Sequence, residues 1–252
     1  MGRYSGILLC SDFDGTFYTE KTIPQDNVKA VKHFRDNGGK FTIASGRHVN
    51  FLTNAIKDVA VGAPLIHLNG ALIYDRDNGV IIKERFMSGM TKPLVLRLAK
   101  EVPDAVRIAF FLKEGATRIP VGEIDSMPEE YARETYKLVV HLESADPERS
   151  NISVAVIKEL VGENFLVARS SWGYVEILDP MLTKSRATHF LKDYVGADTL
   201  ICAGDFENDL DMVRDADIGY AVANAAACLK DVADRITVSA RDGAIARIIE
   251  EL

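Results

Sequence analysis

Ile7-Leu8-Leu9-Cys10-Ser11-Asp12-Phe13-Asp14-Gly15-Thr16 is the stretch that decides the fold. A short apolar run ending abruptly in polar residues and a glycine is the pattern of a strand buried on both faces, delivering its last side chains to the edge of a sheet. Those last side chains are two carboxylates one residue apart. Like charges at that range ionise together only at a cost, unless a cation shares them. Mg²⁺ is the cation that suits hard carboxylate oxygens, and Gly15 allows the steep turn that brings backbone close to it. A plain strand followed by a solvated Asp/Gly turn gives the same local pattern, so the decision rests on the rest of the chain.

Downstream, Val28, Val31 and Phe34 recur at helical spacing until Asn37-Gly38-Gly39 stops the helix. Phe41-Thr42-Ile43-Ala44 is a second strand cut off by Ser45-Gly46-Arg47, residues 51–59 a second helical stretch, and residues 64–68 a third strand closed by Asn69-Gly70. This alternation predicts an α/β fold: a doubly wound, Rossmann-like parallel sheet with helices on both faces. The rhythm then changes. Asp75-Arg76-Asp77-Asn78-Gly79 is hairpin chemistry, and from there to about Asp179 strands and helices mix as an α+β insert. The first rhythm resumes with a helix from Lys184, a strand over residues 199–203 closed by Gly204-Asp205, a fifth strand over 218–222, and closing helices over 225–233 and 244–252. The expected division is a core of residues 1–80 and 181–252, with an inserted cap of residues 81–180.

The chain has 252 residues, 47% of them hydrophobic, enough for a large core and a satellite domain. A net charge of -7 and the lack of clustered Lys/Arg argue against a nucleic-acid surface. No apolar run approaches the roughly 20 residues of a membrane span, and the N-terminus leads straight into the first strand, so the expectation is a cytoplasmic protein with no membrane partner. Cys10, Cys202 and Cys228 are expected to be reduced core thiols. Nothing in the sequence specifies an oligomeric state.

Ligands of open parallel sheets gather at the carboxyl ends of strands. The core strands end, in order, in Asp12 and Asp14, in Ser45-Gly46-Arg47, in Asn69-Gly70, and in Gly204-Asp205 followed by Asn208 and Asp209; Lys184 opens the returning helix. Together they offer carboxylates for a divalent cation, a hydroxyl for a phosphate, and a lysine opposite the metal, which is the equipment of phosphoryl transfer. With these four motifs in this order, the chain resembles the haloacid dehalogenase-like hydrolases, and the placement of the insert resembles the Cof-type sugar-phosphatase branch with its large cap.

The resemblance implies a Mg²⁺-dependent phosphatase of small phosphorylated metabolites, sugar phosphates above all. It makes Asp12 the nucleophile that becomes an aspartyl-phosphate and Asp14 the acid/base. Ser45, Gly46 and Lys184 would bind the phosphoryl group. Asp12, Asp205 and the Asp14 main-chain carbonyl would hold the metal, while Asn208 and Asp209 orient Lys184 or metal-bound water. Lys184 is followed by Ser185 where many relatives have glycine, which leaves the charge in place but alters the entry to the helix. Arg47 and Asn69 are candidates either for substrate contact or for fixing their loops. His67, within an apolar strand, is read as a packed core residue, His33, His141 and His189 receive no role, and Trp172 and Tyr174 are expected to stabilise the insert's hairpin. A phosphomutase using the same aspartyl-phosphate and a non-enzymatic phosphoacceptor module remain as rivals.

Overall fold

The computed structural model describes residues 2–252 and divides the chain into two compact units, residues 1–84 with 183–252 and residues 85–182. The first unit opens with β1 (Ile7–Asp12), α1 (Gln25–Asp36), β2 (Lys40–Ala44), α2 (Val49–Ala55), β3 (Leu65–His67), β4 (Leu72–Asp75) and β5 (Val80–Glu84). The second contains α3 (Lys92–Glu101), β6 (Ala105–Leu112), β7 (Gly115–Pro120), α4 (Glu129–Arg133), β8 (Leu138–Leu142), α5 (Pro147–Val161), β9 (Leu166–Ser171) and β10 (Tyr174–Leu178). The chain re-enters the first unit with α6 (Lys184–Val195), β11 (Thr199–Gly204), α7 (Leu210–Arg214), β12 (Ile218–Ala221), α8 (Ala227–Lys230), β13 (Arg235–Ile236) and α9 (Ala244–Glu250).

The first unit is built on an eight-stranded sheet in the order β13-β12-β11-β1-β2-β3-β4-β5, in which β4 alone is reversed and so pairs antiparallel with both β3 and β5. Alternation along β1 shows why it lies at the centre. Leu9 packs with Val31, Phe34, Ile245 and Ile248 on one face, while Leu8 and Cys10 pack with Ala187, Leu191 and Met212 on the other. α1 and α9 therefore cover one side of the sheet, α6 and α7 the other. Each fully buried Leu or Phe contributes about 1.5–3 kcal/mol of transfer free energy, so a strand apolar on both faces is stable only between two helical layers. Strand order runs one way from β1 through β2 to β3 and the other way through β11 and β12. The switch point falls between β1 and β11, and the carboxyl ends of those strands open a crevice there.

The hairpin β4–β5 turns on Asp75, whose carboxylate accepts from the backbone N–H groups of Asp77 and Asn78 and from the Asn78 side chain. β5 stays hydrogen bonded to β4, so the division of the chain follows Glu84 rather than Val80. Two helical expectations shrink. α2 ends at Ala55 because Ile56 leaves helical geometry and the Val59 N–H turns back to the Ile56 carbonyl. Residues 225–233 keep only the four-residue α8, and the two-residue strand β13 that follows has no period from which it could be read.

The second unit carries a five-stranded antiparallel sheet in the order β7-β6-β8-β10-β9. Ile108, Phe110, Leu138, Val140, Val175 and Ile177 point from it into a core shared with Val95 and Leu98 of α3 and Ile157 of α5. Both helices begin with a side-chain cap and a proline in the first turn: Thr91 accepts from Leu94 N–H and Asp146 from Arg149 N–H. Lys137 and Glu176 form an ion pair at 2.8 Å with both side chains buried. Tyr174 meets His141 edge-on, ring centroids 4.7 Å apart, and Arg169 lies over Trp172. No helix among the described residues is long and apolar enough to cross a membrane.

Candidate active site

β1 and β11 pair in register from Ile7 with Thr199 to Ser11 with Ala203, so Asp12 and the Gly204-Asp205 corner end side by side. α6 starts at Lys184 beneath the cap of Thr183, whose hydroxyl accepts from Arg186 N–H. Lys184 Nζ lies 2.6 Å from Asp12 Oδ1 and 2.7 Å from Asp209 Oδ1, all three side chains nearly inaccessible to solvent. Asp209 Oδ2 accepts from the N–H of Asp205 and of Phe206. Both Asp209 oxygens are thus used internally, and Asp209 fixes Lys184 and the turn after β11 together. Asp12 Oδ2 is different: it is buried and has no hydrogen-bond partner.

One oxygen of each of Asp12, Asp205 and Asp209 falls within a sphere in which all three lie within 4.8 Å of one another. Three carboxylates face one ammonium, an excess of negative charge out of water. Burial first, then Asp209, holds the Asp12 carboxyl well above the ordinary carboxylate range, and burial with the same neighbour pushes Asp205 up to about 7. Lys184 is shifted upward by Asp12 and Asp209 in spite of its burial. A hard divalent cation fits this donor set: it needs carboxylate oxygens, Asp12 Oδ2 is unused, and its charge would offset the surplus that raises both carboxyls. Gly15 serves the same corner. At φ +88°, a Cβ there would stand 2.2 Å from Asp205 Oδ2, so only glycine admits this approach.

Asp14 turns the other way. Its two oxygens take a forked pair from Arg47, Nε to Oδ2 and Nη2 to Oδ1, both at 2.8 Å, and its side chain is outside the carboxylate cluster. Arg47 in turn lies over Phe51, Phe51 meets Phe13 edge-on, and Phe13 stacks on Tyr18. The loop after β2 is tied to the loop after β3: Ser45 O accepts from Asn69 N–H and Arg47 O from Leu68 N–H. The buried Ser45 hydroxyl accepts from Arg47 N–H, which leaves its own proton to donate. Gly46 lies in the turn between them. Asn69 is buried with φ +59°, a left-handed conformation that asparagine tolerates. The Asn208 side chain makes no hydrogen bond among the described residues. His67 is fully buried and pushed down to about 3 by that burial, a neutral packed ring against Tyr74.

Asn224, which sequence reasoning passed over, joins three segments. Its Nδ2 donates to the Gly15 carbonyl at 2.9 Å, and its Oδ1 accepts from Ser239 Oγ and Ala240 N–H. Two residues on, Ala226 N–H donates to the Asp205 carbonyl. One loop therefore steadies both sides of the carboxylate corner. The strand-end test that found the other residues would have found this one had it been applied to β12, which ends at Ala221.

A model of the haloacid dehalogenase-like hydrolases matches residues 9–249. Curated relatives include the 5-amino-6-(5-phospho-D-ribitylamino)uracil phosphatase YitU of Bacillus subtilis, 22% identical over 97% of this chain and 96% of that protein. Another is a phosphoglycolate phosphatase of Archaeoglobus fulgidus, 26% identical over 90% and 88%. Among solved structures, the phosphatase BT1666 of Bacteroides thetaiotaomicron superposes with a TM-score of 0.78, 24% identity and coverage of 100% of this chain and 97% of that one. The subclass IIB sugar phosphatase BT4131 gives a TM-score of 0.76 at 17% identity, covering 97% and 98%. These likenesses are to the fold of the whole chain.

Proposed function

We propose a function from one premise: the chain belongs to the haloacid dehalogenase-like hydrolases. On that footing it is a phosphatase, and our reading is that it hydrolyses small phosphorylated metabolites, sugar phosphates first among them, through an ester on Asp12 and with Mg²⁺. The observation that carries this is Asp12 Oδ2, a buried carboxylate oxygen without a partner, at the switch point of the sheet and on the same side chain that Lys184 orients.

Asp12 and Asp205, with the Asp14 main-chain carbonyl, would hold Mg²⁺, which when bound supplies positive charge to the phosphoryl oxygens. The remaining chemistry belongs to the chain. Lys184 and the Ser45 hydroxyl hold the phosphoryl group in line with Asp12. An Asp12 oxygen bonds to phosphorus as the bond from phosphorus to the ester oxygen breaks, and Asp14 gives its proton to the departing alkoxide. Water then attacks phosphorus, Asp14 takes the proton, and the bond to Asp12 breaks to release phosphate. Each Asp14 oxygen accepts one hydrogen bond from Arg47 and keeps a second lone pair at which the proton can sit. Arg47 is thus a positioning group for Asp14, beyond its earlier reading as a substrate or loop residue. Asn208 would orient a water beside the ion that Asp12 and Asp205 would hold, and Arg47 and Asn69 are the first unit's candidates for deciding which ester is accepted. A cytoplasmic site of action goes with this reading, since buried thiols such as Cys10 and Cys202 persist in a reducing compartment.

Catalytic release of inorganic phosphate from a panel of hexose and pentose phosphates, with Mg²⁺ and again with excess chelator, tests the proposal. Isomerised phosphate esters without free phosphate would indicate a mutase. A single stoichiometric phosphorylation without turnover would indicate a phosphoacceptor module, and undiminished turnover in chelator would remove the metal.

A further inference from the structure

Lys184 is held by the helix that carries it and by the carboxylates it meets, and one of those carboxylates has an unsteady base. Asp209 stands at the entry to α7, a helix of only five residues. A helix that short does not hold itself, so its position comes from what it is tied to. At its front, Asp209 Oδ2 takes the N–H groups of Asp205 and Phe206. Along its side, Met212 packs with Ala187 and Leu191 of α6. A methionine adapts to the gap it fills, which sets how far apart two helices lie but not how one slides or turns along the other. At its back, Asp215 closes α7, and its Oδ2 accepts from the Ser185 hydroxyl at 2.8 Å.

Both partners of this bond are held from elsewhere. Arg214 Nε donates to Asp215 Oδ1, which leaves Oδ2 for the serine, and the Thr188 hydroxyl donates to the Ser185 carbonyl, steadying the first turn of α6. Lys184 and Ser185 are consecutive, yet they grip α7 at opposite ends: Lys184 at Asp209 and buried Ser185 at Asp215, about 9 Å apart along a helix axis. Two ties at the ends of a short helix fix its slide and its rotation, which a single tie does not. We infer that Ser185 is a positioning residue for Lys184: through Asp215 it locks α7 against α6, and so keeps Asp209 where it holds Lys184 Nζ beside Asp12. The consequence for turnover rests on the proposed phosphatase reading; the lock itself does not.

The test uses the full-length protein and two variants that remove the bond from either side, Ser185→Ala, which keeps a good helix former, and Asp215→Ala at an exposed position, with thermal unfolding checking that each is folded. Lys192→Gln is the control: it also removes a tie from α6, to Asp217, but in the last turn of the helix. In the first arm, lysines are acetylated with acetic anhydride and followed by mass spectrometry. Lys184 should react about fivefold faster in Ser185→Ala, the scale of one lost hydrogen bond, while Lys137, buried in the second unit, keeps its rate. In the second arm, kcat on a sugar phosphate should fall about fivefold with KM within about twofold, because the displaced group acts on the reacting phosphoryl. Asp215→Ala should match Ser185→Ala in both arms, and the double variant should be no worse than either single one, since all three remove the same bond. Unchanged acetylation of Lys184, equal acceleration at Lys137, or equal effects from Lys192→Gln would overturn the lock. Faster acetylation with kcat unchanged would overturn the part of Ser185 in the reaction. If the wild type turns over no phosphate ester at all, it is the phosphatase reading that fails, and the acetylation arm still decides whether Ser185 holds Lys184 in place.

Discussion

Lys184 and Lys137 are both buried lysines with a carboxylate at hydrogen-bond distance, and they teach opposite lessons. Lys137 meets Glu176 at 2.8 Å in the second unit, and its Nζ also lies 4.6 Å from the Phe111 ring centroid. Its charge is matched by that carboxylate. Lys184 lies between Asp12 and Asp209, with Asp205 near, and the balance there is negative with one oxygen left over. A buried ion pair that closes on itself is architecture, because exchanging both partners for apolar residues is often neutral for stability while removing one is costly. A buried cluster that fails to close keeps negative charge unbalanced. The difference is one of counting charges, and single substitutions can break it.

The sharpest break is Asp12→Asn, which keeps the shape and removes the proposed nucleophile; turnover of any sugar phosphate should fall by at least about 10³-fold with the circular dichroism spectrum preserved. Retention of more than a few per cent of the rate would take Asp12 out of its role. Next come the lysines themselves. Lys137→Met alone strands Glu176 and should cost about 3–5 kcal/mol in denaturant unfolding, whereas Lys137→Met/Glu176→Leu should recover most of that loss. If the double variant is as unstable as the single one, the pair is not self-contained and the contrast with Lys184 weakens.

Smaller effects separate the corner's supports. Asn224→Asp keeps the acceptor for Ser239 and Ala240 but loses the donor to Gly15; kcat/KM should drop by roughly tenfold, the size of one lost hydrogen bond to a site loop. Asn224→Ser, which retains a short donor, should recover part of it, and equal losses in both would argue for a packing role only. The smallest expectation concerns pH. Asp12 and Asp205 have raised carboxyl pKa values, so the folded protein binds more protons than the unfolded chain. Stability without metal should therefore decline as pH rises from about 4, the unfolded value, through about 7, the folded value for Asp205, and Mg²⁺ should flatten that decline. A melting temperature that rises over this interval in chelator would contradict the surplus of negative charge.

What the sequence disclosed, and what it withheld, follows from the range of the interactions. The central strand, the helices on both faces and the residues at the first four strand ends were legible because periodicity and position carry them: Leu8 and Leu9 must face opposite layers, and Asp12 must follow. The Lys184–Asp12 pair joins residues 172 positions apart and was not legible; the resemblance implied only that Asp209 or Asn208 orients Lys184, and the structure pairs Lys184 with Asp209. The Arg47–Asp14 fork and the Asn224 tether were not legible. Each depends on where two loops meet, and loop direction is set by backbone bonds such as Asn69 N–H to Ser45 O that have no pattern of their own.

The interrupted course of the chain bears on how the protein is made. β1 and β11 are partners at the middle of the sheet, yet Ile7 pairs with Thr199, and nearly all the intervening chain must be gathered before that ladder can form. The second unit is continuous in sequence and is synthesised whole before α6 and β11. Its two ends are clasped by the Ser88 N–H donating to Asp179 Oδ2 at 3.1 Å, so once folded it acts as a short link between Glu84 and Thr183. The closure entropy of β1 onto β11 then depends on far fewer free residues, a saving that grows with the logarithm of the length removed. Pulse-labelled hydrogen exchange during refolding should show amides of β6, β8 and β10 protected before those of β1 and β11, with the late-translated strands completing a sheet whose first half has stood waiting for them.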